Sequence, residues 1–147
     1  MPINSDLAAF LLRISLGVMY LAHSILLKLM TFGLAGTAIF FEGVGLPGWL
    51  AYTTFAAEAA GGVMLILGVR VRWVVIALIP ALLGAIIWVH AANGWVFTAP
   101  NGGWEYPAFL LAASVVQFLL GDGAYALASP ASGGRARNDD FAPIRNN

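Results

Sequence analysis

The sequence predicts an all-α membrane protein, a four-transmembrane-helix bundle with a short interfacial or re-entrant segment between helices 1 and 2. Of its 147 residues, 61% are apolar and only 10% are charged, and its mean hydropathy is +0.86. A soluble domain has roughly a quarter of its residues charged, because it must cover its surface with them. Several apolar runs also reach the length of about 20 residues that crosses a hydrocarbon core of roughly 30 Å. A water-soluble globule is therefore excluded.

The predicted spans are apolar runs at residues 7–30, 50–69, 73–92 and 106–127. The first run follows Asp6 and no basic side chain. Because a cleavable signal peptide begins with basic residues, we expect this run to be retained. Pro80 lies inside the third run, where we expect a kink. The chain is thus divided into a transmembrane domain, residues 1–128, and a tail, residues 129–147, whose Pro, Gly, Ser and charged residues predict flexibility.

Two segments between the runs are expected to cover one mouth of the bundle. Residues 32–49 are glycine-rich and too polar to span, but an apolar patch at residues 38–41 suits a short interfacial or re-entrant helix. The loop before the fourth run contains two Asn-Gly turns, at residues 93–94 and 101–102. Together these segments could form a lid over polar side chains inside the bundle.

Basic residues predict the orientation of the bundle. The second and third runs are joined by residues 70–72, too short a link for anything but a tight hairpin. Lys28 is the one basic residue near the opposite loops, whereas five arginines fall on the side of the hairpin and the termini: Arg70, Arg72, Arg135, Arg137 and Arg145. Because loops rich in Lys and Arg stay in the cytoplasm, both termini are predicted to be cytoplasmic.

The composition also excludes several classes of function. A net charge of zero gives no basic surface for nucleic acid. The absence of cysteine excludes disulfides, thiolate metal sites, iron–sulfur clusters and cysteine nucleophiles. The sequence contains no phosphate loop, no GxSxG or HExxH motif and no dinucleotide fingerprint. Any redox chemistry therefore depends on a bound cofactor or a partner.

Ionisable side chains at membrane depth are the candidate functional residues, because each costs roughly 2.5 to 3.5 kcal/mol to insert. Arg13 lies in the cytoplasmic half of the first span when depth is counted along straight helices at about 1.5 Å per residue. The same count gives one layer in the outer half of the bundle for His23, Lys28, Glu58, His90 and Glu105. Two imidazoles and two carboxylates at similar depth can exchange protons with a ligand.

Helical periodicity predicts which faces point inward. With about 100° between successive residues, one polar and small stripe of the first helix carries Arg13, Gly17, Tyr20, Ser24 and Lys28, with His23 at its margin. One face of the second helix carries Glu58, Gly61, Gly62 and Leu65. Small residues on such a face let a neighbouring helix approach closely. Glu58 is therefore expected to point into the bundle.

These polar residues also have structural alternatives. Arg13 and Glu58 differ by about 9 Å in depth, so they could form an ion pair that only holds two helices in register. His23 and His90 could hydrogen-bond carbonyl groups or lipid headgroups, and Lys28 could reach lipid phosphate.

The loop before the fourth run offers similar alternatives. Glu105 could be an acid that the helix dipole favours in a first turn. Most tryptophans fit an aromatic belt at the membrane interface, with Trp95 and Trp104 as exceptions because they flank a glycine-rich loop.

Five segments carry a family resemblance. They are, in chain order, LLRISLGVMYLAHSILLKL, FFEGVGLPGWLAY, AAEAAGGVMLILGVRVR, HAANGW and NGGWEYPAFLL. Their order and spacing resemble the DoxX family of small four-helix membrane proteins, over about residues 7–127. The resemblance implies an integral protein of a bacterial-type inner membrane, linked to oxidoreductase systems. The family's polar positions correspond here to Arg13, His23, Lys28, Glu58, His90, Asn93 and Glu105.

With this resemblance, the favoured hypothesis is a redox-linked subunit that binds a quinone, with no covalent cofactor. Glu58, His90 and Glu105 are the predicted catalytic residues. In this hypothesis His23 or His90 hydrogen-bonds a quinone oxygen, Glu58 or Glu105 handles the proton, and the quinone itself or a partner carries electrons. The predicted cofactor-binding residues are Arg13, His23, Lys28, Asn93 and Trp104.

Other functions stay open at this point. The chain could be a non-catalytic anchor or assembly subunit, or a conduit for a small molecule or protons. A divalent metal could bind His23, His90, Glu58 and Glu105, although the favoured hypothesis has no metal. The expected partners are membrane lipid and either subunits of a membrane complex or further copies of this chain.

Overall fold

Helices dominate the structure, a computed structural model that describes residues 4–127. They are α1 (Ser5–Thr31), α2 (Leu34–Gly43), α3 (Trp49–Leu67), α4 (Val71–Asn93) and α5 (Glu105–Leu120). The predicted tail lies outside the described residues, together with its boundary after residue 128 and its arginines at residues 135, 137 and 145. Within residues 4–127 the prediction of an all-α fold is confirmed.

Three of these helices, α1, α3 and α4, are long and apolar enough to cross a membrane. Their bounds agree with the predicted runs to within two residues at each end. A short apolar helix, α2, is present where the sequence predicted one between the first two spans. The fourth predicted run contains α5, an apolar helix of 16 residues.

The predicted end of the fourth helix, near residue 127, is wrong. The helix ends at Leu120, because Gly121 takes a φ of +82° that a continuing helix does not allow. The Gln117 side chain donates a hydrogen bond of 2.8 Å to the Gly121 carbonyl and satisfies this terminus. Residues 121–127 continue without a helix.

A tight hairpin joins α3 to α4, as the sequence predicted. Gly68 ends α3 with a φ of +72°, a left-handed conformation that glycine adopts without a steric penalty. Arg70, with a φ of +49°, precedes the first turn of α4. The chain thereby reverses within three residues.

The segment 121–127 folds back onto this hairpin. The Ala124 amide donates to the Asp6 carbonyl at the start of α1, and the Leu127 amide donates to the Leu67 carbonyl at the end of α3. The carboxylate of Asp122 accepts a hydrogen bond from the Val71 amide. We call this side of the bundle the hairpin end, and the opposite side, with α2 and residues 94–104, the loop end.

Glycines set the close packing of α3. A Cβ atom on Gly17 of α1 would lie 2.9 Å from the Gly62 carbonyl oxygen, and one on Gly61 would lie 2.8 Å from Leu78 of α4. Glu58, Gly61, Gly62 and Leu65 are all buried. The predicted inward face of this helix is therefore confirmed.

Two helices change geometry toward the loop end. α1 is an α-helix to Leu21 and a π-helix over Ala22–Thr31, while α4 becomes π-helical over Ala85–His90. π-helical segments are rare and frequently occur at functional sites. Both segments carry polar residues that the sequence analysis singled out.

Candidate functional site

A cavity of about 910 Å³ lies between the helices toward the loop end. All five helices contribute to its walls, which are mainly apolar. Four of the predicted site residues line it: His23, Lys28, Glu58 and His90. We call it the central cavity. Its volume lies in the usual range of about 300 to 1,000 Å³ for small-molecule sites.

An ion pair crosses the interface between α1 and α3 at this cavity. The Lys28 ammonium donates to Oε2 of Glu58 over 2.6 Å, and only 15% and 9% of the two side chains are exposed. Such a short contact is typical of a charge-assisted hydrogen bond. The pair offsets part of the cost of burying both charges, and it leaves them at the wall of an apolar space.

The ion pair of Arg13 with Glu58, one of the structural alternatives, does not form. Arg13 is fully buried, but it lies at the hairpin end, where Nη2 donates to the Ala124 carbonyl over 3.1 Å. Its guanidinium lies 5.4 Å from the centre of the Phe10 ring and interacts electrostatically with Asp122. The long side chain reaches the returning segment 121–127, and Lys28 supplies the cation for Glu58 instead.

His23 joins α1 to α5 at the cavity wall. Its Nδ1 lies 3.0 Å from the Met19 carbonyl oxygen, and its ring stacks on Tyr106 with centroids 6.1 Å apart. Because a carbonyl oxygen accepts, Nδ1 carries the proton in the neutral ring. Nε2 of neutral His23 is then a proton acceptor.

His90 has the same arrangement in the other π-helical segment. Its Nδ1 lies 2.9 Å from the carbonyl oxygen of Gly102, in the loop before α5. Nδ1 is therefore the donor and Nε2 the acceptor of the neutral ring. Two imidazoles at one cavity thus each keep a nitrogen that can take a proton.

Asn93 lies next to this site without lining the central cavity. Its amide nitrogen donates to the carbonyls of Val89, Asn101 and Gly102 at 3.1, 3.2 and 2.9 Å. Asn93 and His90 therefore hold the same loop carbonyl and fix residues 94–104 against the end of α4. The predicted role of Asn93 in cofactor binding stays a prediction.

Glu105 lines a second cavity, and Trp104 lies beside it. Oε2 of Glu105 accepts from the Phe97 amide over 3.1 Å, and the Trp104 ring lies edge-on against Trp95 with centroids 4.4 Å apart. This second cavity, of about 550 Å³, is lined by Trp95, Phe97, Glu105, Tyr106, Ala108, Phe109 and Ala112. We call it the α5 groove. Glu105 is thus not among the residues that line the central cavity with Glu58 and the two imidazoles.

Tyr106 is a site residue that the sequence analysis missed. It lines both the central cavity and the α5 groove, stacks on His23, and its hydroxyl contacts the Met19 sulfur. The only signal in the sequence was its place in GGWEYP at the start of the fourth run, which is equally typical of an aromatic belt.

A metal site does not form from the predicted residues. Within residues 4–127 the structure holds no group of three or more His, Asp or Glu side chains that could bind a metal ion. Glu105 lines the other cavity, and Glu58 already binds Lys28.

Comparisons with known proteins identify a family for this chain. The family model described as DoxX matches residues 8–91. A protein of Bacillus subtilis (strain 168), named "Putative oxidoreductase CatD", is 33% identical over 116 residues, which cover 79% of this chain and 81% of that protein. No solved structure matches significantly. The chain therefore belongs to the DoxX family.

Proposed function

We propose that this protein is a redox-linked membrane subunit that binds a quinone in the central cavity. The observation that carries the proposal is the set of Lys28, Glu58, His23 and His90 around one mainly apolar space of about 910 Å³. A quinone ring with an isoprenoid chain suits apolar walls, and its two oxygens need a few polar partners. The name of the relative, "Putative oxidoreductase CatD", supports a redox role.

The polar residues have complementary tasks in this proposal. The Lys28 ammonium donates a hydrogen bond to an oxygen of the ring and favours negative charge there. Nε2 of His23 and Nε2 of His90 accept hydrogen bonds from hydroxyl groups, so they favour the reduced, quinol form of the ligand. Glu58 holds Lys28 in place and can take a proton when Lys28 turns to the ligand.

The quinone supplies the two-electron, two-proton chemistry that protein side chains lack. Since the chain has no cysteine, it has no thiolate ligand for a metal centre and no thiol redox pair. We therefore assign electron exchange to a redox protein associated in the membrane. The residues of this chain bind the ligand, orient it and move its protons.

The proposal includes four membrane crossings, with α5 as the fourth. A helix of 16 residues is about 24 Å long, slightly short of the hydrocarbon core. It runs from the loop end to the hairpin end, where Arg72 donates to the Phe118 carbonyl. With the arginines at residues 70 and 72 at that end, the positive-inside rule favours both termini in the cytoplasm of a bacterial-type cell.

Solvent extraction of the purified protein, followed by mass spectrometry, tests the proposal. We expect an isoprenoid quinone to co-purify with the wild type and to fall at least tenfold in the double variant Lys28→Met/Glu58→Met, which removes both charges without leaving one unpaired. Glu42→Gln, an exposed carboxylate on α2 outside both cavities, is the control. A wild-type extract without quinone, with no spectral change on adding quinol, would overturn the proposal.

A further inference from the structure

The α5 groove combines exposed aromatic rings with one carboxylate. Trp95, Phe97 and Phe109 are 52%, 62% and 70% exposed around Glu105. Among the lining residues that the structure describes there is one acid and no base. Aromatic faces and a carboxylate both attract cations, and together they form the usual surroundings of an organic ammonium group.

The groove continues from this acidic end along the apolar surface of α5. Glu105, Ala108 and Ala112 are three and four residues apart, so they lie on one face of the helix over about 10 Å. The two alanines leave a shallow track beside the large ring of Phe109. An apolar chain fits this track, while a polar group fits the Glu105 end.

We propose that the α5 groove binds a phospholipid with an ammonium headgroup of the ethanolamine type. The ammonium lies against the Glu105 carboxylate and the rings of Trp95 and Phe97, and an acyl chain follows Ala108 and Ala112 toward the hairpin end. A phospholipid, rather than a soluble amine, is favoured because the track runs along a helix face that membrane would surround. The site does not include Lys28 or Glu58, although Tyr106 lines both this groove and the central cavity.

Glu105 is suited to this role because its carboxylate is already oriented. Oε2 accepts from the Phe97 amide over 3.1 Å, which holds the side chain at the groove. A glutamine at this position can still accept that hydrogen bond through its amide oxygen. The substitution therefore removes the charge and keeps the loop contact.

Native mass spectrometry of the detergent-purified protein tests the headgroup. The protein is incubated with equimolar phosphatidylethanolamine and phosphatidylglycerol that carry the same acyl chains. We expect the wild type to retain about fivefold more of the ethanolamine lipid, in line with one exposed ion pair plus one cation–π contact. Glu105→Gln should lower this preference to about twofold, the part that the cation–π contact supplies, and Glu42→Gln should keep it.

A second pair of variants tests the acyl track. Ala112→Phe fills the groove and should lower retention of both lipids at least threefold, whereas Val63→Phe, at an exposed position of α3 outside both cavities, should not. Equal retention of the two lipids by the wild type, an unchanged preference in Glu105→Gln, or full retention by Ala112→Phe would each overturn the proposal. Quinone content, measured on the same samples, reports separately on the central cavity.

Discussion

The Lys28 ammonium lies 2.6 Å from the Glu58 carboxylate, across the interface between the π-helical part of α1 and the middle of α3. Neither residue has much contact with solvent, since their side chains are 15% and 9% exposed. The pair therefore ties two spans together at the wall of the central cavity. Its two charges are stable there only as long as they remain together.

A double-mutant cycle measures this dependence. Lys28→Met and Glu58→Met each leave one buried charge without its partner, so each should lower stability by about 2 to 3 kcal/mol, below the 3 to 5 kcal/mol of a fully buried pair. The double variant replaces the pair with apolar groups and should recover most of the loss. Thermal unfolding in one detergent measures all four proteins. Additive losses would show that the two side chains are not coupled.

The contact of α1 with α3 predicts a steric effect at Gly17. A Cβ atom there would lie 2.7 Å from Ile66 Cγ1 and 2.9 Å from the Gly62 carbonyl oxygen, so the helices must separate. Gly17→Ala should therefore destabilise the protein by about 1 to 3 kcal/mol. Gly84→Ala is the matched control, because its Cβ meets nothing within 4 Å and alanine favours a helix. Equal unfolding midpoints for the two variants would contradict the packing argument.

Much of this fold was predictable, because hydropathy and helical periodicity depend only on the local sequence. Apolar runs gave the bounds of α1, α3 and α4, and the 100° turn gave the buried face around Glu58. The end of α5 was not predictable from hydropathy, since residues 124–127 are as apolar as the helix before them. The glycine conformation at Gly121 and the return toward Asp6 depend on tertiary contacts.

The site was predictable as a set of residues but not as a set of pairs. Counting depth along straight helices predicted one depth for four residues, His23, Lys28, Glu58 and His90. All four line one cavity. The same counting left Arg13 as a partner for Glu58, because it could not anticipate the π-helical turn at Ala22 or the carbonyl that Ala124 offers to Arg13. Which side chains pair depends on how far each one extends and on where the chain folds back, and helical periodicity predicts neither.

Arg13 should control the segment that returns to the hairpin end. Its guanidinium binds the Ala124 carbonyl, and hydrogen bonds to charged groups contribute about 1.5 to 3 kcal/mol. Arg13→Met should therefore speed amide exchange within residues 121–127 by about tenfold or more in hydrogen–deuterium exchange mass spectrometry. Ser15→Ala, at an exposed hydroxyl on the same helix, should leave that exchange unchanged. Unaltered protection of residues 121–127 in Arg13→Met would show that Arg13 does not hold this segment.

Asn93 should control the order of the loop before α5. Its amide makes three hydrogen bonds to backbone carbonyls, two of them in that loop. Asn93→Ala should increase amide exchange of residues 94–104 several-fold, because these carbonyls lose their donor. Asn101→Gly is the control, since it keeps the carbonyl that Asn93 binds and suits the φ of +67° at that position. If both variants exchange like the wild type, the loop is held by other contacts.

Substitutions at two alanines of α3 distinguish filling of the central cavity from a general effect of a larger side chain on the helix. Both alanines are exposed, but Ala57 lines that cavity, whereas Ala60 lies outside the lining of either cavity. A phenylalanine at residue 57 projects into the space that a ring would fill, so Ala57→Phe should lower co-purified quinone at least fivefold. Ala60→Phe adds the same volume to the same helix and should retain the wild-type amount, with similar unfolding midpoints for both variants. Equal quinone in the two variants would show that the ligand binds elsewhere on the protein.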